Sequence, residues 1–273
     1  MIVQTAPEGK PHFIITQIDH AEISGVFALH FGNNDFASLN PNAPMIYVAG
    51  HHDDGWVEVD GTPQLDPKTR LPYHLTQTPT RQLIETGNKS PDANEAHHPF
   101  SGIISSMHTY GLYHGRYGLS DKIYIDMIDE NLRAEVTQML DHERARQDRL
   151  KAQLRQMGHD ELAEENVLFH NYKLLQFFDT LALYIQTVNQ GEVKDTAFVH
   201  VPRALDDDVT VDAKHIAPGK IILNPWCFDV DAINVSTVGR YMSTIVEDDQ
   251  PDDLATHFFA LPTDVQTYTF TKA

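Results

Sequence analysis

The chain has 273 residues, 41% hydrophobic and 22% charged, a globular composition long enough to bury a substantial core. Twenty Lys and Arg against 39 Asp and Glu leave a formal charge of −19, which argues against binding nucleic acid or an anionic membrane. A single cysteine, Cys227, excludes an internal disulfide, and no apolar run approaches the roughly 20 residues of a membrane span. With no signal-peptide pattern in its first residues, the expected location is the cytoplasm.

Met1–Thr5 and Phe13–Thr16 read as short strands around the turn-forming Pro7-Glu8-Gly9-Lys10-Pro11. From Gln17 to Phe31 a mostly apolar helix is expected, ended by Gly32-Asn33-Asn34. Gln17, His20 and Ser24 recur at spacings of three and four, so they form a polar stripe on one face of that helix. A second helix begins near Pro44 and carries Met45-Ile46-Tyr47-Val48-Ala49 up to His51-His52-Asp53-Asp54, with Gly55 at its end.

Residues 57–97 are rich in Pro, Thr, Asn and Asp and show little periodicity. A connection of that length is expected to hold short helices or to cover a site. A helix from Pro99 to His114 follows, with His108 in apolar surroundings. His114 lies six residues further, about 240° round the helix, so the two need not share a cavity. After Gly118-Leu119-Ser120-Asp121 a long helix is expected to extend to Met157, its charged second half lying along the surface or against a partner. Another runs from Glu161 to Val188; Leu174 to Ile185 is apolar on nearly every face, so this helix is central. Asp179 falls in its middle, and an unpaired buried carboxylate there would cost several kcal/mol.

Beyond Gly191 the pattern turns to period two. Strands are expected at Val209–Val211, Ile221–Leu223, Ile233–Val238 and Val265–Phe270, with a short helix over Asp252–Phe259. The expected fold is therefore α+β, mainly α, as one domain over 1–273. A helical core (17–189) would adjoin a β-rich portion (190–273), which the strands of 1–16 join because two short strands alone are marginal.

His20, His52-Asp53 and Asp179 offer imidazole and carboxylate ligands of the kind that suit Mn, Fe, Zn or Ni. Each also has a plain structural reading. His20 could bond a carbonyl, and Asp54-Gly55 could simply make a turn. Asp179 could pair with Arg203 or Arg240. One bound cation accounts for all three buried polar sites together.

The order His20, His52-Asp53, Asp179 resembles the HD superfamily of metal-dependent phosphohydrolases. Gln17-x-x-His20-Ala21, His52-Asp53-Asp54-Gly55-Trp56, Asp179-Thr180-Leu181-Ala182-Leu183 and Leu223-Asn224-Pro225-Trp226 are similar, more narrowly, to an uncharacterised bacterial family, a domain of unknown function. The superfamily resemblance implies an HD-like helical bundle with His20, His52, Asp53 and Asp179 as ligands of a first divalent metal. His108 and His114 are then the candidates for a second. The long 57–97 connection and the absence of a His-His pair in the middle helices depart from the better-known enzymes.

The activity expected from this resemblance is attack of metal-activated water on a small phosphorylated substrate. Asp53 would bridge metals or orient the water, and Asp54 and His108 would move protons. Gln17, Arg116, Lys68 and Arg70, with Arg81, are the candidate substrate contacts. The alternatives are a diiron oxygenase of the same fold and a non-catalytic, metal-stabilised binding or sensory protein. Either form is compatible with a homo-oligomer.

Overall fold

A computed structural model describes residues 1–273. The N-terminal strands β1 (Ile2–Val3) and β2 (His12–Ile15) lead into α1 (Gln17–His30), where Thr16 caps the first turn by accepting from the Asp19 amide. Helix α2 (Asn42–His51) crosses α1 where a Cβ built on Gly25 would sit 2.9 Å from the Gly50 Cα. Only glycines allow the two backbones so near one another, and that closeness brings the end of α2 over the start of α1.

The chain continues through the single turn α3 (Val57–Gly61), α4 (Thr80–His97), α5 (Pro99–Tyr113) and a left-handed turn, α6 (Gly115–Gly118). Helices α7 (Glu130–Gln156) and α8 (Glu165–Gln186) complete the helical part, and about 51% of the chain is helical. Strands β3 (Thr196–Ala204), β4 (Asp207–Ala217), β5 (Lys220–Asn224), β6 (Ala232–Met242) and β7 (Thr263–Lys272) follow, with the short α9 (Leu254–Ala260) before the last.

All seven strands form one curled sheet in the order β1-β2-β6-β7-β5-β4-β3. Neighbours are antiparallel except β5 and β7. Phe13 pairs with Tyr241 and His12 with Met242, so the N-terminal strands extend the C-terminal sheet, as their shortness predicts. Strict alternation of burial along Ala232–Val238 shows one face packed on helices and the other in solvent. Phe27 and Phe178 from the helices and Phe228 and Phe270 from the β-rich portion belong to one hydrophobic core.

Three expectations need correction. Residues 80–97 form a full helix despite Pro91, whose missing N–H leaves the Gly87 carbonyl without its helical partner. The Thr109 hydroxyl of α5 donates to that carbonyl at 3.3 Å, so a tertiary contact replaces the lost bond. The helix expected after Asp121 starts only at Glu130, because Ile125 and Ile128 are drawn off the helical path into a cluster with Val136 and Met139. Its charged half lies along the surface with most of its residues exposed, while its apolar stripe is buried at Leu150 and Leu154 and Arg146 binds Glu143 as well as Asp92 and Glu95 of α4. Strand β3 was not foreseen, since the bulge between Phe198 and Val201 breaks its alternation. No helix is long and apolar enough to cross a membrane.

Candidate metal centre

His20 comes from α1, His52 and Asp53 from the end of α2, His108 from α5 and Asp179 from α8, and all five are buried. Ring centroids of His52 lie 5.5 Å from His20 and 5.2 Å from His108. His20 Nε2 is 3.1 Å from Asp179 Oδ1; His52 Nε2 is 3.8 Å from the same oxygen and 3.6 Å from Asp53 Oδ2. A four-coordinate ion with bonds of about 2.0–2.1 Å needs donors roughly 3.3 Å apart, close to these separations. Two overlapping sets, His20/His52/Asp179 and His52/Asp53/His108, each bring three donor atoms within 4.8 Å of one another, with His52 in both.

The outer nitrogens of the histidines are occupied. His52 Nδ1 donates to the Ala49 carbonyl at 2.9 Å, and His20 Nδ1 donates to Gln186 Oε1 at 2.7 Å. Gln186 is held in turn by the Thr237 hydroxyl of β6, which ties the sheet to the cluster. The Gln176 amide lies 2.7 Å from His108 Nδ1. In His52 the donating Nδ1 fixes the tautomer in which Nε2 carries a free lone pair. His52 Nε2 has that lone pair, is fully buried and has no hydrogen-bond partner.

Charge balance follows from the same packing. Burial alone would push the Asp179 carboxyl up, but the His20 hydrogen bond and the surrounding imidazoles outweigh it and hold the group below the usual carboxylate range. For His20, burial opposes the charged form, yet Asp179 overcomes this and raises it. Burial raises Asp53 against the pull of His52 and His20. Burial also pushes His108 down to about 3, so its imidazole is neutral near pH 7. A neutral imidazole suits a ligand better than the proton donor envisaged from its ordinary titration range.

The cluster forms one end of a cavity of about 370 Å³. Gln17, His20, Asp53, His108 and Asp179 face it, along with Arg116 and Lys122. Gln17 Oε1 is buried there without a partner. Thr76 and Leu75, from the long connection, line the cavity, so that segment does cover the site. Arg116 arrives on the left-handed turn, where residues 115–118 have φ of 59°, 51°, 56° and 89°. Such a conformation costs roughly 1–2 kcal/mol for each non-glycine residue. Tyr117, edge-on to Tyr172 at 5.0 Å, holds the turn in place.

Other candidates lie elsewhere. His114 stacks on Tyr110 at 4.1 Å with Nδ1 toward the Tyr110 carbonyl, and it belongs to neither donor set; the helical rotation from His108 is the reason. Asp54 faces His51 at 3.1 Å instead of the cavity, because the turn Asp54–Trp56 rotates it away from Asp53. Arg70 is bound to the Ile245 carbonyl and Gln250, and Arg81 pairs with Glu135 at 3.0 Å. Lys68 sits in a turn whose amide is held by Asp66, and it does not line the cavity. Neither arginine proposed for Asp179 reaches it: Arg203 pairs with Asp207, and Arg240 lies over Phe258 and Phe259. Ser24 turns to the Phe178 carbonyl, so only Gln17 and His20 of the polar stripe face the cavity. Gln176, Gln186 and Lys122 escaped the sequence reading, since lone polar residues at these positions carry no motif.

A family model described as a protein of unknown function, DUF3891, matches residues 1–244. The chain belongs to that family. No curated protein and no solved structure matches it. The matched span takes in every residue of both donor sets and the cavity around them.

Proposed function

We propose that this DUF3891 chain is a metal-dependent hydrolase acting on phosphoesters. The observation that carries the reading is the orphaned His52 Nε2, a buried lone pair aimed between two carboxylates and two further imidazoles. Leaving such an atom unsatisfied costs about 1–3 kcal/mol, and a cation removes that cost. Its order of ligands along the chain is that of the HD-like resemblance, which the reading extends to this fold.

His20, His52 and Asp179 would hold a divalent Mn, Fe, Zn or Ni ion, and Asp53 and His108 would complete that sphere or hold a second ion beside it, since His52 Nε2 has a single lone pair to give. When bound, the metal supplies Lewis acidity, polarising a phosphoryl oxygen and lowering the pKa of water toward about 7. Where Asp53 is not itself a ligand, its carboxyl, which faces the cavity beside His52, would be placed to orient a water and accept its proton. Arg116 and Lys122 are the cations lining the same cavity, placed to hold the anionic ester. Leu75, Leu112 and Trp56 give the same cavity an apolar lining. A diiron oxygenase has less support, because Arg116 and Lys122 give the cavity the cations an anionic ester needs and an oxygenase does not.

The test is elemental analysis of untagged protein, with phosphate release from a panel of phosphomonoesters and phosphodiesters. One or two ions per chain and metal-dependent release are expected, and His52→Ala abolishes both. Folded protein that takes up no Mn, Fe, Zn or Ni at millimolar concentration would sink the proposal.

A further inference from the structure

Arg116 lines a second cavity as well, of about 270 Å³, between α8 and the bulged part of β3. Phe177 and Phe198 wall it, with ring centroids 5.6 Å apart and planes 77° from parallel. At its inner end is Gln176, 6% exposed, whose Oε1 has no partner while its amide nitrogen touches His108. Exchanging the two amide positions only moves the orphan to the other atom, so Gln176, which lines the cavity, keeps an unpartnered polar atom either way. The bulge puts His200 at φ 58°, which spreads the strand and leaves the cavity open to solvent. Lys173, the other cation lining it, is taken by Asp208 at 2.6 Å. Arg116 has no carboxylate partner in the fold and stands between the two cavities.

We propose that the second cavity is a subsite for the organic part of the substrate, a flat ring system with a hydrogen-bonding edge. The inference rests on the phosphoester reading. The ester's phosphate lies at the His–Asp cluster with Arg116 beside it, and the ring extends past Arg116 to pack on Phe177 and Phe198. Gln176 bonds the ring's polar edge. A flat ring gains from two aromatic walls, whereas an aliphatic polyol would leave them exposed.

Calorimetric titration of the purified protein with 1-naphthyl phosphate and with methyl phosphate tests this directly. The wild type is expected to bind the naphthyl ester about tenfold tighter than the methyl ester. Ala197→Trp, which fills the cavity from an exposed strand position, brings the ratio close to one. Phe198→Ala removes one wall and lowers the ratio too, so either folded variant decides the matter. No preference in the wild type, or a preference that survives Ala197→Trp, overturns the subsite. If the preference is present and lost as described but neither ester releases phosphate, the subsite stands and the hydrolase reading fails.

Discussion

The ion network joining α4 to α7, built on the buried Arg146 and Glu143, and the His–Asp cluster at the end of the first cavity are both charged and carried on helices. In the network every charge is answered. Arg146, nearly inaccessible, spans Glu143 at 3.0 Å and reaches Asp92 and Glu95, while Arg149 returns to Glu95 at 2.8 Å. In the cluster, three imidazoles and two carboxylates leave His52 Nε2 with nothing to bond. A complete network holds elements together, whereas the cluster leaves one buried nitrogen that the proposed metal would satisfy.

The largest effect that sharpens the contrast belongs to the network. Arg146→Ala leaves Glu143, which is 0% exposed, as an uncompensated buried charge. Denaturant unfolding should show a loss of about 3–5 kcal/mol, with metal content per folded molecule unchanged. Glu143→Leu combined with Arg146→Leu should recover most of that loss, because Asp92 is largely solvated and Glu95 partly so. Metal loss in the single variant would erase the distinction between the two regions.

The covering segment provides the next test. His74 Nδ1 accepts from the Val3 amide at 3.0 Å, fastening residues 57–79 to β1 beside the cavity, and burial pushes this histidine down to about 4. Below its ordinary value near 6.5 the unfolded chain takes a proton that the folded chain refuses. Stability contributed by neutral His74 is thus intact above about pH 6.5 and drains away as pH falls to about 4. The integrated loss is about 3 kcal/mol at most. His74→Asn, which keeps an acceptor but cannot titrate, should flatten that part of the stability–pH curve. An unchanged curve would mean the segment is not held by this bond.

The smallest effect probes the outer shell of the cluster. Gln186→Ala frees His20 Nδ1 and lets the ring take the other tautomer. Metal affinity, measured by competition with a chelator, should fall about 10–100-fold with the melting temperature of the metal-free protein little changed. Affinity equal to wild type would place His20 outside the coordination sphere.

Much of this architecture was legible along the chain. The period-two segments after Gly191, the apolar helix around Asp179 and the shortness of the first strands all express local constraints, and each lies where those constraints put it. Helix α4 was obscured because Pro91 argues against a helix, and only Thr109, from another helix, supplies the missing bond. The left-handed turn at 115–118 was equally hidden, since packing of Tyr117 on Tyr172 is what sustains it.

For the site, residue type and spacing selected His20, His52, Asp53 and Asp179, because imidazole and carboxylate in apolar company need a partner wherever they fold. Which partner each one has was decided only by tertiary structure. The crossing of α1 and α2 at Gly25 and Gly50 sets His52 against His20, and the rotation of α5 admits His108 while sending His114 to Tyr110. Arg203 and Arg240 remained open partners for Asp179 until the sheet carried them to Asp207 and to Phe258. Hydrogen-bond satisfaction is a sum over neighbours brought together from distant parts of the chain. No local pattern could show that one nitrogen, His52 Nε2, would be left over.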